Sequence, residues 1–344
     1  MSPKNLNVSR KTHKNLLNNL EDKRIFQIYQ KFEKNLRLNK DFVVGVSGGP
    51  DSLALCFLSK IYSIKKSLNV RYYIVDHKLR KNSSNEAQSI KKLLKKYRIN
   101  LNILKWYGKK PTSNIQSIAR DKRYGLLTNK AKKLNIKYIL TGHHIDDLYE
   151  NFFIRFSRGS GLNGLVSFGE KTQRDNVNIF RPLIGLEKKY LNYLTTKVFK
   201  TYIEDPSNKD NKFKRVRIRK FIKNLESDGL NKNKFLLTIK NLKDSNETIK
   251  FYVAKNLKDN SYFFKDKSKI ILNEEFFNQP HEVTFRSFTE IIKFVGNKYY
   301  SVRGKKVDNI IDKLKKETKY SSKLTLGNCI IHKVNQSIIV VKEH

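Results

Sequence analysis

The chain has 344 residues, 38% of them hydrophobic, which is enough for one large domain or two ordinary ones with a true core. Its 72 lysines and arginines outnumber 31 acidic residues, and the formal charge of +41 favours a polyanionic partner, with nucleic acid preferred over an anionic membrane surface. Cys56 and Cys329 are the only cysteines, which excludes a disulfide framework or a cysteine metal site. No signal peptide or membrane-spanning segment is recognisable, and together these features predict a soluble cytoplasmic protein.

Strands and helices are predicted to alternate over most of the chain. Residues 1–35 are interpreted as a basic N-terminal extension with one helix, and residues 36–225 as the catalytic domain. Strands are predicted at 42–46, 72–75, 101–106 and 138–140, each followed by a helix, the last at 143–157. Apolar strands without alternation predict a parallel sheet with helices on both faces. Ligands of such folds bind outside the carboxyl ends of the strands.

Residues 226–344 differ in pattern and predict a smaller α+β domain. Helical spacing is present around Phe235 and Leu242, between Pro280 and Phe294, and between Val307 and Leu314. Two strands, 324–331 and 337–341, are predicted to form a terminal hairpin.

A short polar loop joins the first predicted strand of the catalytic domain to its helix. Its residues are Ser47, Gly48, Gly49, Pro50, Asp51 and Ser52. The glycines allow backbone N–H groups to approach phosphate, the helix N-terminus adds positive potential, and the serines can donate hydroxyl hydrogen bonds. Asp51 repels phosphate and is therefore predicted to contact a Mg²⁺ ion that phosphate carries. An ordinary P-loop pattern is absent, and a capped glycine turn is the alternative.

Seven further motifs follow the loop in chain order. They are VDHKLR (75–80), AR..RY (119–124), TGHHIDD (141–147), RGSGLNGL (158–165), RPL (181–183), EDPSN (204–208), and Arg215, Arg217 and Arg219 as R-x-R-x-R. With the loop, they resemble the PP-loop ATP pyrophosphatases, and among these the tRNA(Ile)-lysidine synthetases, over about residues 40–225. Lys78 stands where that family usually has Gly, Val216 replaces a common Asn, and 148–151 depart from its usual Q-x-E-T.

The resemblance implies an ATP- and Mg²⁺-dependent ligation of L-lysine to the wobble cytidine of tRNA(Ile) with a CAU anticodon, through an adenylated cytidine. It implies ATP binding by segment 47–52, a metal contact at Asp51, and catalytic roles for Asp51, Asp146 and Asp147. The domain 226–344 would recognise the tRNA. The sequence leaves a monomer and a homodimer open.

Acidic residues at the start of the helix predicted at 143–157 are candidates for binding lysine or removing its proton. Asp146, Asp147 and Glu150 lie opposite an apolar stripe, and mutually repelling acids attract a cation. Arg120 is assigned to the same lysine site by the resemblance. A solvated face whose acids complement the helix N-terminus is the alternative.

Two histidines precede these acids. His143 and His144 lack a third ligand at zinc-binding spacing, so hydrogen bonding to phosphate or to an acid is favoured over a zinc site, and a structural helix start is equally compatible. His77 either lies near the nucleotide or simply ends its strand.

Arg215, Arg217 and Arg219 lie in a lysine-rich stretch and are predicted to contact RNA phosphates. A solvated helix face under a general lysine bias is the alternative. Three other functions compete with the leading one. A tRNA thiolase is disfavoured by the cysteine positions. A small-molecule amidotransferase is disfavoured by the charge. A non-catalytic RNA-binding protein is disfavoured by the intact phosphate loop.

Overall fold

The structure is a computed structural model that describes residues 14–79, 82–108, 111–204, 210–212, 214–264, 269–297, 302–316 and 323–343. The chain divides into two compact units, Met1–Asn231 and Lys232–His344. The boundary predicted after residue 225 lies close to this division, and the roles given to the domains stay predictions. Arg80 of VDHKLR and residues 205–208 of EDPSN lie outside the described residues.

The first unit contains a six-stranded sheet. Its strands are β1 (Phe42–Val46), β2 (Val70–Asp76), β3 (Leu101–Lys105), β4 (Tyr138–Thr141), β5 (Lys171–Arg174) and β6 (Val177–Phe180). Their order is β3-β2-β1-β4-β6-β5, and all neighbours are parallel except β5 and β6. The helices are α1 (Lys23–Leu36), α2 (Pro50–Lys66), α3 (Ser83–Lys96), α4 (Ile115–Lys133), α5 (Ile145–Phe156), α6 (Leu162–Leu165), α7 (Lys188–Phe199) and α8 (Lys214–Ser227).

Helices cover both faces of this sheet, as predicted from the apolar strands. Phe42 and Val44 of β1 pack into one core with helices α1, α2 and α7, while Val43 points into a second core with Leu127 of α4. A strand buried on both faces loses the polar–apolar alternation of a half-exposed strand. The fold-class prediction is confirmed.

Two features of the first unit differ from the sequence prediction. Helix α1 buries Tyr29 and Phe32 completely in the larger core, so the segment described as an extension contributes to the unit. The β5–β6 hairpin was missed because its polar residues resemble a loop. Its turn residues Asp175 and Asn176 have φ angles of +51° and +61°, which is the signature of a tight hairpin turn.

The second unit has its own core. Its helices are α9 (Lys232–Asn260), α10 (His281–Val295) and α11 (Gly304–Lys316), and its strands are β7 (Ser261–Phe263), β8 (Lys269–Leu272), β9 (Leu324–Thr325), β10 (Cys329–Val334) and β11 (Ser337–Lys342). The sheet order is β7-β8-β11-β10-β9. The predicted strand 324–331 is interrupted at Gly327 and Asn328, whose φ angles are +63° and +64°. Within the described ranges, no helix is long and apolar enough to span a membrane.

Candidate active site

The loop 47–52 ends β1 and is held in place by one of its own side chains. Gly48 has φ +89°, a left-handed conformation that glycine adopts without strain. The buried Ser52 hydroxyl donates to the Gly49 carbonyl at 2.9 Å. It also accepts hydrogen bonds from the N–H groups of Ser47 and Gly48 at 3.2 and 3.0 Å. Ser52 therefore braces the loop, whereas Ser47 is exposed.

The turn after β4 lies directly against the first turn of α2. A Cβ atom on Gly142 would lie 3.0 Å from the Asp51 carbonyl oxygen and 3.1 Å from the Ser52 nitrogen, closer than side chains normally approach a backbone. Pro50 occupies the first position of α2, and its carbonyl accepts the Thr195 hydroxyl at 2.7 Å. Glycine at 142 thus lets the TGHHIDD motif meet the phosphate loop.

This contact brings the three predicted catalytic carboxylates around one buried histidine, and we call Asp51, Asp146, Asp147 and His144 the acid cluster. His144 Nε2 lies 3.5 Å from Asp51 Oδ2 and 3.6 Å from Asp147 Oδ2. His144 Nδ1 lies 3.4 Å from Asp146 Oδ2. The histidine ends the β4 turn as the N-cap of α5, and its own N–H donates to Asp147 Oδ2 at 3.1 Å.

The carboxylates determine the charge of His144. Burial acts to lower its pKa, but hydrogen bonds to Asp146 and Asp51, with the charge of Asp147, outweigh burial and raise the pKa to about 10. The Asp146 N–H also lies 3.3 Å from Nδ1. A protonated ring has no lone pair to accept it, so we assign Nδ1 as a donor to the Asp146 carboxylate. The imidazolium therefore offsets part of the negative charge that these acids concentrate.

One atom of the acid cluster lacks a partner. Asp51 Oδ1 is buried and accepts no hydrogen bond from the part of the chain that the structure describes. Mg²⁺ is commonly held by one or two carboxylates together with substrate phosphates rather than by a cage of protein ligands. The described ranges contain no group of three or more His, Cys, Asp or Glu arranged to hold a metal. A single available carboxylate oxygen next to a phosphate loop fits the predicted Mg²⁺ contact at Asp51.

Positive charge surrounds the other histidine of the motif. His143 Nδ1 lies 2.9 Å from the Thr141 hydroxyl. Burial lowers its pKa well below the usual value, and four guanidinium groups lower it further, so the ring is neutral. We call these four the arginine group; they are Arg120, Arg123, Arg181 and Arg215. The sequence predicts roles for Arg120 and Arg215, whereas the motifs that contain Arg123 and Arg181 indicate no role for those two side chains.

Members of the arginine group converge on one tyrosine. The guanidinium carbons of Arg120 and Arg123 lie 5.2 and 5.7 Å from the ring centroid of Tyr124, which is buried. Arg181 is buried too, and it donates to the Gly169 carbonyl at 2.8 Å. Cations packed on an aromatic face and fixed by backbone contacts form a rigid positive wall. Such a wall suits phosphate or carboxylate groups.

Glu150 does not face an open acidic surface. Its carboxylate is buried and forms an ion pair with the Arg219 guanidinium, whose Nη2 lies 3.4 Å from Oε2. Two predictions, lysine binding by Glu150 and RNA contact by Arg219, thus concern a single internal pair between α5 and α8. Arg217 is exposed on α8 and Arg215 is half-buried in the arginine group. The three alternating arginines therefore occupy three different environments.

The carboxyl end of β2 is fixed by a separate hydrogen-bond set. Asp76 is buried and accepts the hydroxyls of Ser83 and Ser84 at 2.8 and 2.6 Å. The two serines, in the first turn of α3, therefore tie that helix to β2, and Asn82 is its N-cap residue. His77, the next residue, has its pKa lowered to about 4 by burial and by Arg123, so it is neutral as well.

Comparison with known protein families matches residues 19–226 to the PP-loop domain. The tRNA(Ile)-lysidine synthase of Orientia tsutsugamushi (strain Boryong) is 33% identical over 325 residues, which cover 91% of this chain and 71% of the relative. The protein of the same name from Wolbachia pipientis wMel is 30% identical over 314 residues, or 89% and 71%. That of Rhodopseudomonas palustris is 38% identical over 189 residues, or 54% and 55%.

Among solved structures, the chain is similar to the U34-tRNA thiolase NcsA from Methanococcus maripaludis with its [4Fe-4S] cluster. The TM-score is 0.56 at 18% sequence identity, and the match covers 64% of this chain and 78% of the thiolase. Similarity at this level of identity concerns the fold alone.

Proposed function

This chain belongs to the tRNA(Ile)-lysidine synthase family of PP-loop proteins, and from this premise we propose that it ligates L-lysine to the wobble cytidine of tRNA(Ile) bearing a CAU anticodon. The enzyme is a ligase that forms a carbon–nitrogen bond and consumes ATP. The cytidine C2 oxygen attacks the α-phosphorus and pyrophosphate leaves. The side-chain amine of lysine then attacks C2, and AMP leaves with the oxygen. Lysidine pairs with A, so the codon read changes from AUG to AUA.

The observation that carries this proposal is the contact of Gly142 with Asp51, which joins the phosphate loop to the acid cluster. Segment 47–52 and the N-terminus of α2 would bind the ATP phosphates. Asp51 would hold Mg²⁺ through its unpartnered Oδ1. Bound Mg²⁺ would neutralise charge on the transferring phosphoryl group. The arginine group would then bind the remaining phosphate oxygens or the RNA backbone.

Asp146 and Asp147 are our candidates for holding lysine and accepting the proton of its attacking amine. Both are half-buried, and they lie at the start of the same helix. Glu150, the third acid predicted to bind lysine, is paired with Arg219, so Asp146 and Asp147 remain as candidates. Arg120, which lies beside Tyr124, would meet the carboxylate of the amino acid.

The tRNA would be held by the positive charge, beginning with Arg215 and Arg217 of α8. We propose that the second unit contributes to its recognition and that the enzyme works in the cytoplasm, where its substrates are. The thiolase alternative is weaker. Cys56 is buried in α2, where burial raises the pKa of its thiol, and Cys329 is buried in the core of the second unit. Sulfur transfer needs an accessible thiolate.

Incorporation of labelled lysine tests the proposal. Purified full-length chain should transfer radiolabelled L-lysine to a tRNA(Ile) transcript with a CAU anticodon, with release of one AMP and one pyrophosphate for each lysine. A transcript of methionine tRNA with the same anticodon is the matched control and should accept little lysine. AMP release that requires tRNA but proceeds equally well without lysine would refute the lysine assignment.

A further inference from the structure

Three phenylalanines of α5 and one of α8 form an aromatic surface outside the core. We call Phe152, Phe153, Phe156 and Phe221 the aromatic ledge. The rings of Phe152 and Phe156 are 6.3 Å apart and within 9° of parallel. Phe153 meets the ring of Phe221 edge-on at 5.6 Å, which joins α5 to α8. Phe156 is 64% exposed and Phe221 is 47% exposed. Large aromatic side chains left this open on neighbouring helices mark a surface with a partner.

Positive side chains border the ledge and connect it with the candidate active site. Arg155, on the same turn as Phe156, is half-buried and donates from Nε to Asn151 Oδ1 at 2.9 Å. Burial together with the nearby charges of Arg158 and Arg120 lowers its pKa. Lys214 Nζ donates to Ser157 Oγ at 2.9 Å. The lysine thereby brings the start of α8 next to Phe156. Cations on both sides of exposed aromatic rings are complementary to a nucleic-acid strand.

The ledge lies within a few nucleotides of the acid cluster. A helix rises about 1.5 Å per residue, so Phe152 and Phe156 lie about 9 and 15 Å along α5 from Asp146. Stacked bases rise about 3.4 Å per nucleotide of one strand, and these distances correspond to about three or four nucleotides. A base held at the acid cluster therefore has neighbours at the distance of the ledge.

We propose that the aromatic ledge stacks unpaired bases of the tRNA anticodon loop that flank the modified cytidine, while Arg155, Arg158 and Lys214 contact their phosphates. This inference rests on the proposed function for the identity of the RNA. Recognition of single-stranded RNA uses bases stacked on aromatic rings, and enzymes that modify a base separate it from its neighbours. The ledge holds those neighbours while the cytidine enters the acid cluster.

The test measures stacking directly and requires neither ATP nor lysine. An anticodon stem-loop RNA is synthesised with 2-aminopurine at one loop position at a time, and its fluorescence is followed during titration with full-length protein. Wild-type protein should quench at least one loop position about three or four nucleotides from the wobble nucleotide. Phe156→Ala should relieve that quenching and weaken binding about 10-fold, since stacking contributes about 1–3 kcal/mol per base. Phe156→Tyr should retain both, whereas Phe156→Leu should resemble alanine.

Phe26→Ala is the matched control, because Phe26 is 40% exposed on α1 and contributes nothing to the candidate site. It should leave quenching and affinity unchanged. Unchanged quenching in Phe156→Ala would overturn the proposal, as would a leucine variant that binds as well as wild type. A change in oligomeric state instead of RNA affinity would also overturn it and indicate a protein partner. Failure of lysine incorporation with normal quenching would contradict the proposed function and leave the ledge intact.

Discussion

Glu150 and Arg219 form a buried ion pair that joins α5 to α8 just beyond the acid cluster. Burial raises the pKa of the Glu150 carboxyl, and Arg219 offsets this rise only in part. The Arg219 pKa is raised because the interaction with Glu150 outweighs the effect of burial. An arginine keeps its proton at any ordinary pH, so the Glu150 carboxyl always has a positive charge beside it. Its position makes it a support for the helix that carries Asp146 and Asp147.

Removing one partner of this pair should destabilise the first unit. Glu150→Ala leaves a partly buried guanidinium without its carboxylate, a loss expected to cost about 3–5 kcal/mol in the free energy of unfolding. Urea unfolding measures it. The double variant Glu150→Gln with Arg219→Gln should be more stable than the sum of the two single changes predicts. If the stability losses of the two single variants add up to that of the double variant, the two side chains do not stabilise each other.

Gly142→Ala should inactivate the enzyme more than it unfolds it. The added Cβ would press on the Asp51 backbone at 3.0 Å and move Asp51, with the phosphate loop, away from His144, Asp146 and Asp147. A displacement of this kind can cost about 100-fold in rate. Pyrophosphate release under saturating tRNA measures the effect.

Gly125→Ala is the control for that glycine, since a Cβ there meets nothing within 4 Å on helix α4. It should keep full activity and gain up to about 1 kcal/mol of stability. Equal activity of the two alanine variants would contradict the importance of the Gly142 contact.

Asp51→Asn should abolish pyrophosphate release and leave tRNA affinity nearly unchanged. The amide keeps the size of the side chain but cannot supply the negative oxygen that we assign to Mg²⁺. Filter binding with tRNA and a pyrophosphate assay over a range of Mg²⁺ concentrations separate the two effects. If tRNA affinity falls along with activity, Asp51 has a folding role instead.

Arg217→Glu should weaken tRNA binding and reduce its dependence on salt. Arg217 is exposed, so the change leaves stability intact while removing one phosphate contact, and the slope of log affinity against log salt should shrink by about 1. Lys220→Glu, at an exposed position on the same helix, separates a specific contact from a general loss of charge. An identical loss in both variants would favour a diffuse electrostatic effect.

Asp76 should make the protein sensitive to acid. Burial acts to raise its pKa, but hydrogen bonds from Ser84, Ser83 and the Lys78 N–H outweigh burial and lower it. The stabilisation is therefore complete above the pKa of the unfolded carboxyl, near 4, and is lost as pH falls through the lower folded value. Asp76→Asn should be less stable at neutral pH, by about 1–3 kcal/mol. Its stability should also vary less between pH 5 and pH 2, as denaturant titrations at several pH values would show.

Sequence alone determined the fold class and predicted where a nucleotide binds. Strands such as 42–46 are apolar on both faces, and this property is local in the chain, so a parallel sheet with a ligand at its carboxyl edge could be predicted. The motifs also predict Asp51, Asp146 and Asp147 as catalytic residues, and the structure brings these carboxylates around His144 because chain segments that follow adjacent parallel strands meet at one edge.

Only the tertiary structure decided how side chains are paired. Helical spacing predicts that Glu150 shares a helix face with Asp146. This spacing contains no information about α8, whose Arg219 forms an ion pair with the Glu150 carboxylate. The residue type of Ser52 predicts a hydroxyl that donates to phosphate. The bend of the loop instead directs this hydroxyl to the Gly49 carbonyl. The side-chain roles of Arg123, Arg181 and Gly142 likewise depend on elements distant in sequence. The periodicity of apolar residues shows which face of a single helix or strand is buried. The pairing of side chains depends on how two such elements approach each other in three dimensions.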